Sequence, residues 1–363
     1  MPIYMDRHDV SNEITAESVA ILHLEDLKIQ HKYNCRGLTY WFDDKRKTAF
    51  CLVEAPNAES VHNMHQHAHG QLPHSIIEVD AGLVASFLGR MEDPDTSIGS
   101  ELTVIDEPAF RFLLTVQIQL GQLSNDPDKN LARGIKDFMQ KVINVIEDMQ
   151  GIPVRQGFQN ILGSFTKAQN AVDCGLELNS RLKRVNPLLR LSIGLEAGLP
   201  VVGIKTFFED TIQTSRRLCE MGRDFSVSSS VLKMYEEEAR GVDPKDTEIT
   251  KIKTTELDFF HKFFDYLEAN FSNSELKIDA FVTALGYSRS QVYRSSINLF
   301  GCSPNVFLNR YRLKKSLEQL ANTSNTVSDT AFLSGFSSAS YFSKCFRNEY
   351  GISPKAYMKA VSP

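Results

Sequence analysis

Eight of the nine histidines fall in the first 74 residues: His8, His23, His31, His62, His65, His67, His69 and His74, with only His261 beyond. Neutral imidazole is both a proton acceptor near physiological pH and the commonest metal ligand, so this crowding marks a local function. His62, His65 and His69 are spaced three and four apart and share one helical face, whereas His67 points elsewhere. His23 and Asp26 are likewise three apart, and His8 stands beside Asp9. Imidazoles with carboxylates suit a borderline divalent cation such as nickel, zinc, cobalt or copper, without the thiolates of a structural zinc site. The alternative is a solvated polar face.

The elements needed to position these groups read as a strand at 2–8, a helix at about 15–32, strands at 37–43 and 48–54, a helix at about 57–69 and a strand at 75–79. Thr15 and Asn57 are helix starts, and Asp43-Asp44-Lys45 occupies a hairpin turn. The order βαββαβ is ferredoxin-like. The segments YMDRHDV, HLEDLKIQ, LTYWFDD, FCLVEAP and HQHAHG resemble a small family of ferredoxin-like domains with a proposed nickel-binding role, over about residues 1–90. That resemblance implies a metal held by His and Asp/Glu near His8, His23, His65 and His69, in a dimer. His62 and His67 lie outside the family motif.

A different set of donors occupies the other end. The formal net charge is −4 over 1–90, −5 over 91–256 and +4 over 257–363, the division expected when only the last module meets a polyanion. Residues 284–304 (ALGYSRSQVYRSSINLFGCSP) can be laid on 333–354 (LSGFSSASYFSKCFRNEYGISP) with one extra residue near 348, pairing Gly286 with Gly335, Tyr293 with Phe342 and Ile297 with Phe346. Each copy reads as a helix stopped by Gly, a Ser-led second helix, then Gly and Pro: two helix-turn-helix units joined by an amphipathic helix from Asn305 to Leu320. A plain helical bundle shares this periodicity. The second helices separate the two readings, because Arg289, Ser290, Gln291 and Arg294 in one, and Ser338, Ser340, Lys344 and Arg347 in the other, are donors that reach base edges and phosphates from a helix in the major groove.

LGYSRSQVYRSS, FLNRYRLKKSLEQL and SDTAFLSGFSSASYFSKCFRNEYGISPKAY resemble the DNA-binding domain of AraC/XylS-type transcription regulators over about 258–360. The resemblance implies that Arg289, Ser290, Gln291 and Arg294 read one major-groove segment and Ser338, Ala339, Ser340 and Lys344 the next. The chain departs from the pattern at Tyr357-Met358-Lys359, where an Arg commonly closes the motif.

Between the two ends, strands at 110–118, 152–165, 189–197 and 224–228 alternate with helices at 131–149, 166–184 and 209–222, an α+β arrangement. LRLSIGLEAGLPV and FFEDTIQTSRRLCEMGRDFSVSSSVL resemble class III nucleotide cyclases, which hold two magnesium ions on two aspartates. Those aspartates fall at Gln117 and Gln159 here, and the transition-state asparagine at Gln213, while the arginine is kept at Arg217. A neutral amide supplies no charge to a triphosphate. The expectation is a degenerate cyclase-like domain, not an enzyme, that acts as a dimerising linker or ligand sensor.

At 363 residues, with 42% hydrophobic and 23% charged side chains, the chain has the size and composition of two or three globular domains. The divisions expected are 1–90, 100–240 and 257–363, with a polar linker at 241–256. No run of about 18 apolar residues occurs and the N-terminus is charged, which points to a cytoplasmic chain without membrane spans. The six cysteines form no CxxC pair and read as reduced thiols. The combined expectation is a multidomain, sequence-specific transcription regulator: an α+β ferredoxin-like domain, an α+β cyclase-like domain and an all-α double helix-turn-helix domain. It would bind double-stranded DNA as a homodimer and respond to a divalent metal, nickel among them, or to a small ligand. The alternative is a nucleotide cyclase fused to a DNA-binding domain.

Overall fold

The computed structural model describes residues 1–94, 102–123, 131–156, 159–182, 188–239, 249–321 and 325–361. They divide into two compact units: Met1–Leu113 with Ser164–Lys167 and Ala197–Gln213, and Leu114–Gly163 with Ala168–Glu196 and Thr214–Pro363. Among the described residues no helix is long and apolar enough to cross a membrane.

The first unit begins β1 (Ile3–Asp9), α1 (Ala16–Ile29), β2 (Arg36–Asp43), β3 (Thr48–Glu54), α2 (Ala58–Ala68), β4 (Ser75–Val79) and α3 (Ala81–Leu88). Its sheet runs β2-β3-β1-β4, the ferredoxin-like order, with β1 antiparallel to both β3 and β4. Local chemistry sets the ends of the helices. Thr15 accepts from Ser18 N in a capping box, and Asn57 Oδ1 accepts from Ser60 N at 2.9 Å. Strands β2 and β3 are apolar almost throughout because both faces are covered. Tyr40, Phe42, Cys51 and Val53 join Val19, Val61 and Met64 in one core cluster.

The second unit is built on a six-stranded sheet, β10-β9-β8-β5-β7-β6. In chain order its elements are β5 (Arg111–Leu120), α4 (Leu131–Asp148), β6 (Ile152–Gln156), β7 (Asn160–Phe165), α5 (Ala168–Leu182), β8 (Leu189–Gly198), α6 (Glu209–Glu220), β9 (Phe225–Ser228), α7 (Ser229–Glu238) and β10 (Thr250–Ile252). The helical remainder is α8 (Thr254–Asn270), α9 (Ile278–Leu285), α10 (Arg289–Phe300), α11 (Pro304–Ala321), α12 (Val327–Leu333), α13 (Ala339–Tyr350) and α14 (Pro354–Val361). Gly194 lets β8 lie against α6, since a Cβ there would overlap the Ser215 carbonyl.

Two expectations change. Of the linker expected at 241–256, residues 241–248 lie outside the described set; the rest is not a linker. Thr250–Ile252 pairs in parallel with β9 and α8 starts at Thr254, because Ile252 is fully buried in a cluster that its polar neighbours conceal in the sequence. Nor do the sheet and the C-terminal helices keep separate cores. Leu218 and Met221 share one cluster with Phe259, Phe260, Phe263, Phe264, Phe281, Phe300 and Phe307.

Beside that cluster Arg217, 3% exposed, donates to Asp265 at 2.6 Å and to Glu268 at 2.6 Å, both on α8. Burial works against its charge, but the hydrogen bonds to Glu268 and Asp265 outweigh that and hold the guanidinium above its ordinary pKa. Arg217→Ala should lower unfolding free energy by about 1.5–3 kcal/mol, the range for hydrogen bonds to charged groups, because both carboxylates keep contact with water once the guanidinium is gone. Urea unfolding followed by far-ultraviolet circular dichroism checks this; an unchanged midpoint would mean that the pair contributes nothing.

Candidate metal centre and nucleic-acid interface

Three elements of the first unit converge on a buried polar cluster. Asp6 and His8 alternate along β1 and so face the same side; α1 brings Asp26, and α2 brings His65 and His69 one helical turn apart. His65 lies between two carboxylates, with Nε2 2.7 Å from Asp6 Oδ2 and Nδ1 3.0 Å from Asp26 Oδ2. His69 Nε2 is 3.3 Å from Asp26, and His8 Nε2 is 3.3 Å from Asp6 Oδ1. Asp6 Oδ1 also accepts from Cys51 N at 2.9 Å. Two sets of ligand atoms lie close enough to share a cation among the described residues: Asp6, His8 and Cys51, and Asp26, His65 and His69. His8 Nε2 is buried, with Asp6 Oδ1 as its polar neighbour.

Burial disfavours every charge here, and the groups answer by compensating one another. For His65 burial lowers the pKa, yet the Asp6 charge and the hydrogen bonds to Asp26 and Asp6 overcome it and push the imidazolium from 6.5 up to about 10. Asp6 is raised by burial but pulled far below the ordinary carboxylate range by His8 and His65. Asp26 follows the same pattern through its hydrogen bonds to His65 and His69. The Cys51 thiol is pushed up by burial and by Asp6.

The metal set expected from sequence was His8, His23, His65 and His69. The structure brings His65 and His69 together and places the His8 ring 5.1 Å from that of His65. It keeps His23 out of both sets: its Nε2 pairs with Asp93 Oδ2 at 3.1 Å and its ring packs on Tyr40. Sequence reasoning linked His8 to Asp9, but adjacent strand residues face opposite ways, and Asp9 pairs with Arg7 instead. The signal for Asp6 was the Asp-x-His alternation. Cys51 carried none, and His67 stacks on Tyr33 away from the cluster.

In the second unit α10 and α13 both end at a glycine in the left-handed region, Gly301 and Gly351. Both start at a serine cap, Ser288 and Ser338. The helices therefore correspond at a constant offset, and the repeat's extra residue lies in the turn after Gly335, not near 348. Buried Val292 matches Phe342 and buried Ser296 matches Phe346, correcting the pairing of Tyr293 with Phe342 and Ile297 with Phe346. With this offset, Arg289, Ser290 and Arg294 stand where Ala339, Ser340 and Lys344 stand. All but half-buried Ala339 are exposed.

Arg289, Ser290 and Arg294 line one open groove with Tyr293, Ile297 and Asn298. Gln291 serves as a helix cap, its Oε1 accepting from Ser288 N at 2.9 Å, and Ser338 Oγ caps α13. Ile297 on α10 and Tyr341 on α13, which sequence reasoning did not select, are exposed apolar side chains on the same two helices.

Gln117 on β5 and Gln159, in the turn just before β7, come together where Ile118 N donates to Gln159 O at 2.9 Å. Arg217 is engaged by α8 as described.

Residues 4–79 match the family described as "Nickel responsive protein SCO4226-like", and residues 281–360 match the family described as "Helix-turn-helix domain". The HTH-type transcriptional regulator MtrA of Neisseria gonorrhoeae is 38% identical over 85 residues, 23% of this chain and 28% of that protein. Histidine kinase P4 of Formosa agariphila is 24% identical over 271 residues, 72% of this chain and 20% of that protein. The crystal structure of SCO4226 from Streptomyces coelicolor A3(2) is 32% identical, covering 21% of this chain and 94% of that one with a TM-score of 0.20. The chain thus spans between 20% and 28% of the length of these two curated relatives.

The paired charges make the metal-free first unit pH-dependent. His65 has a raised pKa, so its stabilisation is complete below pH 6.5 and is lost as pH rises through about 10. Asp6 and Asp26 are depressed, so theirs is present above the ordinary carboxylate value and lost in stronger acid. Thermal unfolding of chelator-treated protein, read by the single tryptophan, Trp41, buried in this unit, should show a midpoint falling between pH 6.5 and 10. His65→Gln should flatten that slope, and an equal slope in the variant would contradict the assignment.

Proposed function

The chain carries an AraC-type helix-turn-helix domain at its C-terminal end and a domain like nickel-responsive SCO4226 at its N-terminal end, and from that premise we propose that it is a sequence-specific, DNA-binding transcription regulator of the cytoplasm. The observation that carries this reading is the pair of equivalent exposed helix N-termini, with Arg289 and Arg294 on α10 and Lys344 on α13. Ser290, Ser338, Ala339 and Ser340 flank them, and Gln291 joins them once its capping bond is exchanged for a base.

The same reading gives the first unit a divalent cation held by His8, His65 and His69 with Asp6 and Asp26, nickel being the metal that the family resemblance favours. The donor set fits: borderline nitrogen and oxygen ligands, largely buried and within 4.8 Å of one another in each set. A bound cation would supply positive charge to two buried carboxylates. His23, paired with Asp93, orients α1 from outside the ligand set.

The cyclase-like sheet is proposed to be non-catalytic. Amides stand at Gln117 and Gln159, and Arg217 is committed to Asp265 and Glu268. Its role would be to pair two copies of the chain, since one reader covers one half-site and a two-fold pair must match half-sites about one helical turn apart. Formation of cyclic product from ATP or GTP with magnesium or manganese would replace this reading by that of a nucleotide cyclase fused to a DNA reader.

Duplexes selected from random sequence should bind with steep salt dependence. Arg289→Ala and Lys344→Ala should each cost about 1–3 kcal/mol of specific binding if they contact bases. Footprints identical to wild type in both variants would remove the two helices from the interface.

Calorimetric titration of the full chain with Ni²⁺ and Zn²⁺ should find one site that His65→Ala/His69→Ala abolishes. Equal binding by wild type and double variant would place the metal elsewhere.

A further inference from the structure

The second unit holds a cavity of about 280 Å³ at which the sheet meets α11. Its floor contains Gln117 and Gln159. Gln117 Oε1 and Gln159 Nε2 are both shut off from solvent, and both lack a hydrogen-bond partner. A buried acceptor and a buried donor left unpaired are each costly, so a bound molecule with a matching donor and acceptor would relieve both amides.

The wall beside them is aromatic. Phe300 and Phe307 stack with ring centroids 4.2 Å apart, and Tyr311 lies one turn further along α11. Positive charge follows on the same helix. Lys314 is already neutralised by Glu220 at 2.6 Å; Arg310, which also bonds Cys302, Lys315, whose ammonium lies over the Tyr311 ring, and Arg190 line the cavity too. Glu318 and Glu349 line it too, which limits the excess positive charge and disfavours a polyanion. The volume sits at the small end for ligand pockets.

We propose that this cavity binds a small planar heterocycle that carries an adjacent donor and acceptor on one edge and a single anionic group, and that the bound molecule tunes the DNA reader through α11. The tuning rests on the regulator reading above; the binding does not. Both helix-turn-helix units attach to α11, so an occupant wedged between it and the sheet acts on the element that sets their spacing. The shared chemistry occurs in nucleoside monophosphates and in heterocyclic carboxylates.

Calorimetry on the full chain without DNA tests the site with AMP, GMP and UMP as one arm and orotate as the other; benzoate and inorganic phosphate lack the donor–acceptor edge. At least one of the four probes should bind once per chain, and the two controls should not. Gln117→Leu and Gln159→Leu should each weaken binding about ten-fold. Should either fail to fold, Lys315→Ala at a half-buried position serves instead, with a loss of about three-fold or more that is smaller for the uncharged nucleoside or uracil. Absence of binding by all four probes at about 1 mM, or affinity unchanged in the folded variants, overturns the proposal. The bound probe should then shift affinity for a selected duplex at least about three-fold, and an unshifted affinity overturns the tuning. A chain that binds the probe and no DNA at all would instead defeat the regulator reading.

Discussion

A nearly buried guanidinium governs the second unit. Arg217 sits on α6 beside the phenylalanines of a common core, and the pair of carboxylates on α8, with the Phe264 ring 5.7 Å away, compensates its burial. Such a charge either finds its partners or excludes the packing around it. The consequence reaches well beyond one ion pair. With α8 fixed on α6, Ile252 can close the core as β10 adds to the sheet, and Phe263 and Phe264 can meet Phe300 and Phe307. An arginine that reads in sequence as a catalytic remnant is in the fold the bolt between the sheet and the helical reader.

The first unit solves the same problem with different groups. In its polar cluster two carboxylates are buried, and an imidazolium shared between them, with His8 and His69 beside it, compensates them. A shared proton is a weaker bolt than a guanidinium because it can be exchanged: for water at high pH, or for a metal cation with the same imidazole nitrogens as ligands. The residues that stabilise the apo cluster are thus those that would hold the metal. His23 illustrates the opposite choice, being committed to Asp93 and to the Tyr40 ring.

Element order in the first 80 residues was legible because caps and hairpin residues act locally: Thr15, Asn57 and Asp43 fix their ends whatever happens elsewhere. The reading helices were legible for the same reason, through Ser288 and Gly301. What the sequence concealed depended on distance. Asp6 meets His65 across 59 positions and Arg217 meets Glu268 across 51, and neither spacing carries a periodic signal. The misplacement of the repeat's extra residue has a simpler cause. Tyr293 and Ile297 are apolar at helical spacing, so they mimic Phe342 and Phe346, but the buried positions are Val292 and Ser296. A small polar core residue broke the pattern on which the pairing relied.

The anchoring of α11 limits how any signal can reach DNA. Arg312 donates to the Phe271 and Asn273 carbonyls at 2.8 and 2.7 Å, and Lys314 pairs with Glu220. At Gly335, where φ is +82°, a side chain would strike the Phe271 carbonyl. The turn that leads from α12 to α13 is therefore seated on the same backbone corner that Arg312 grips. With the first helix-turn-helix unit sharing the phenylalanine core and the second held at this corner, free rotation of one unit against the other would strand Arg312 without its carbonyls. A regulatory change that keeps these bonds has two routes left. In the proposed regulator it would alter the wedge between α11 and the sheet, or the spacing of two copies if the chain pairs on DNA as proposed, and either would act on the helical domain as a body rather than on single contacts.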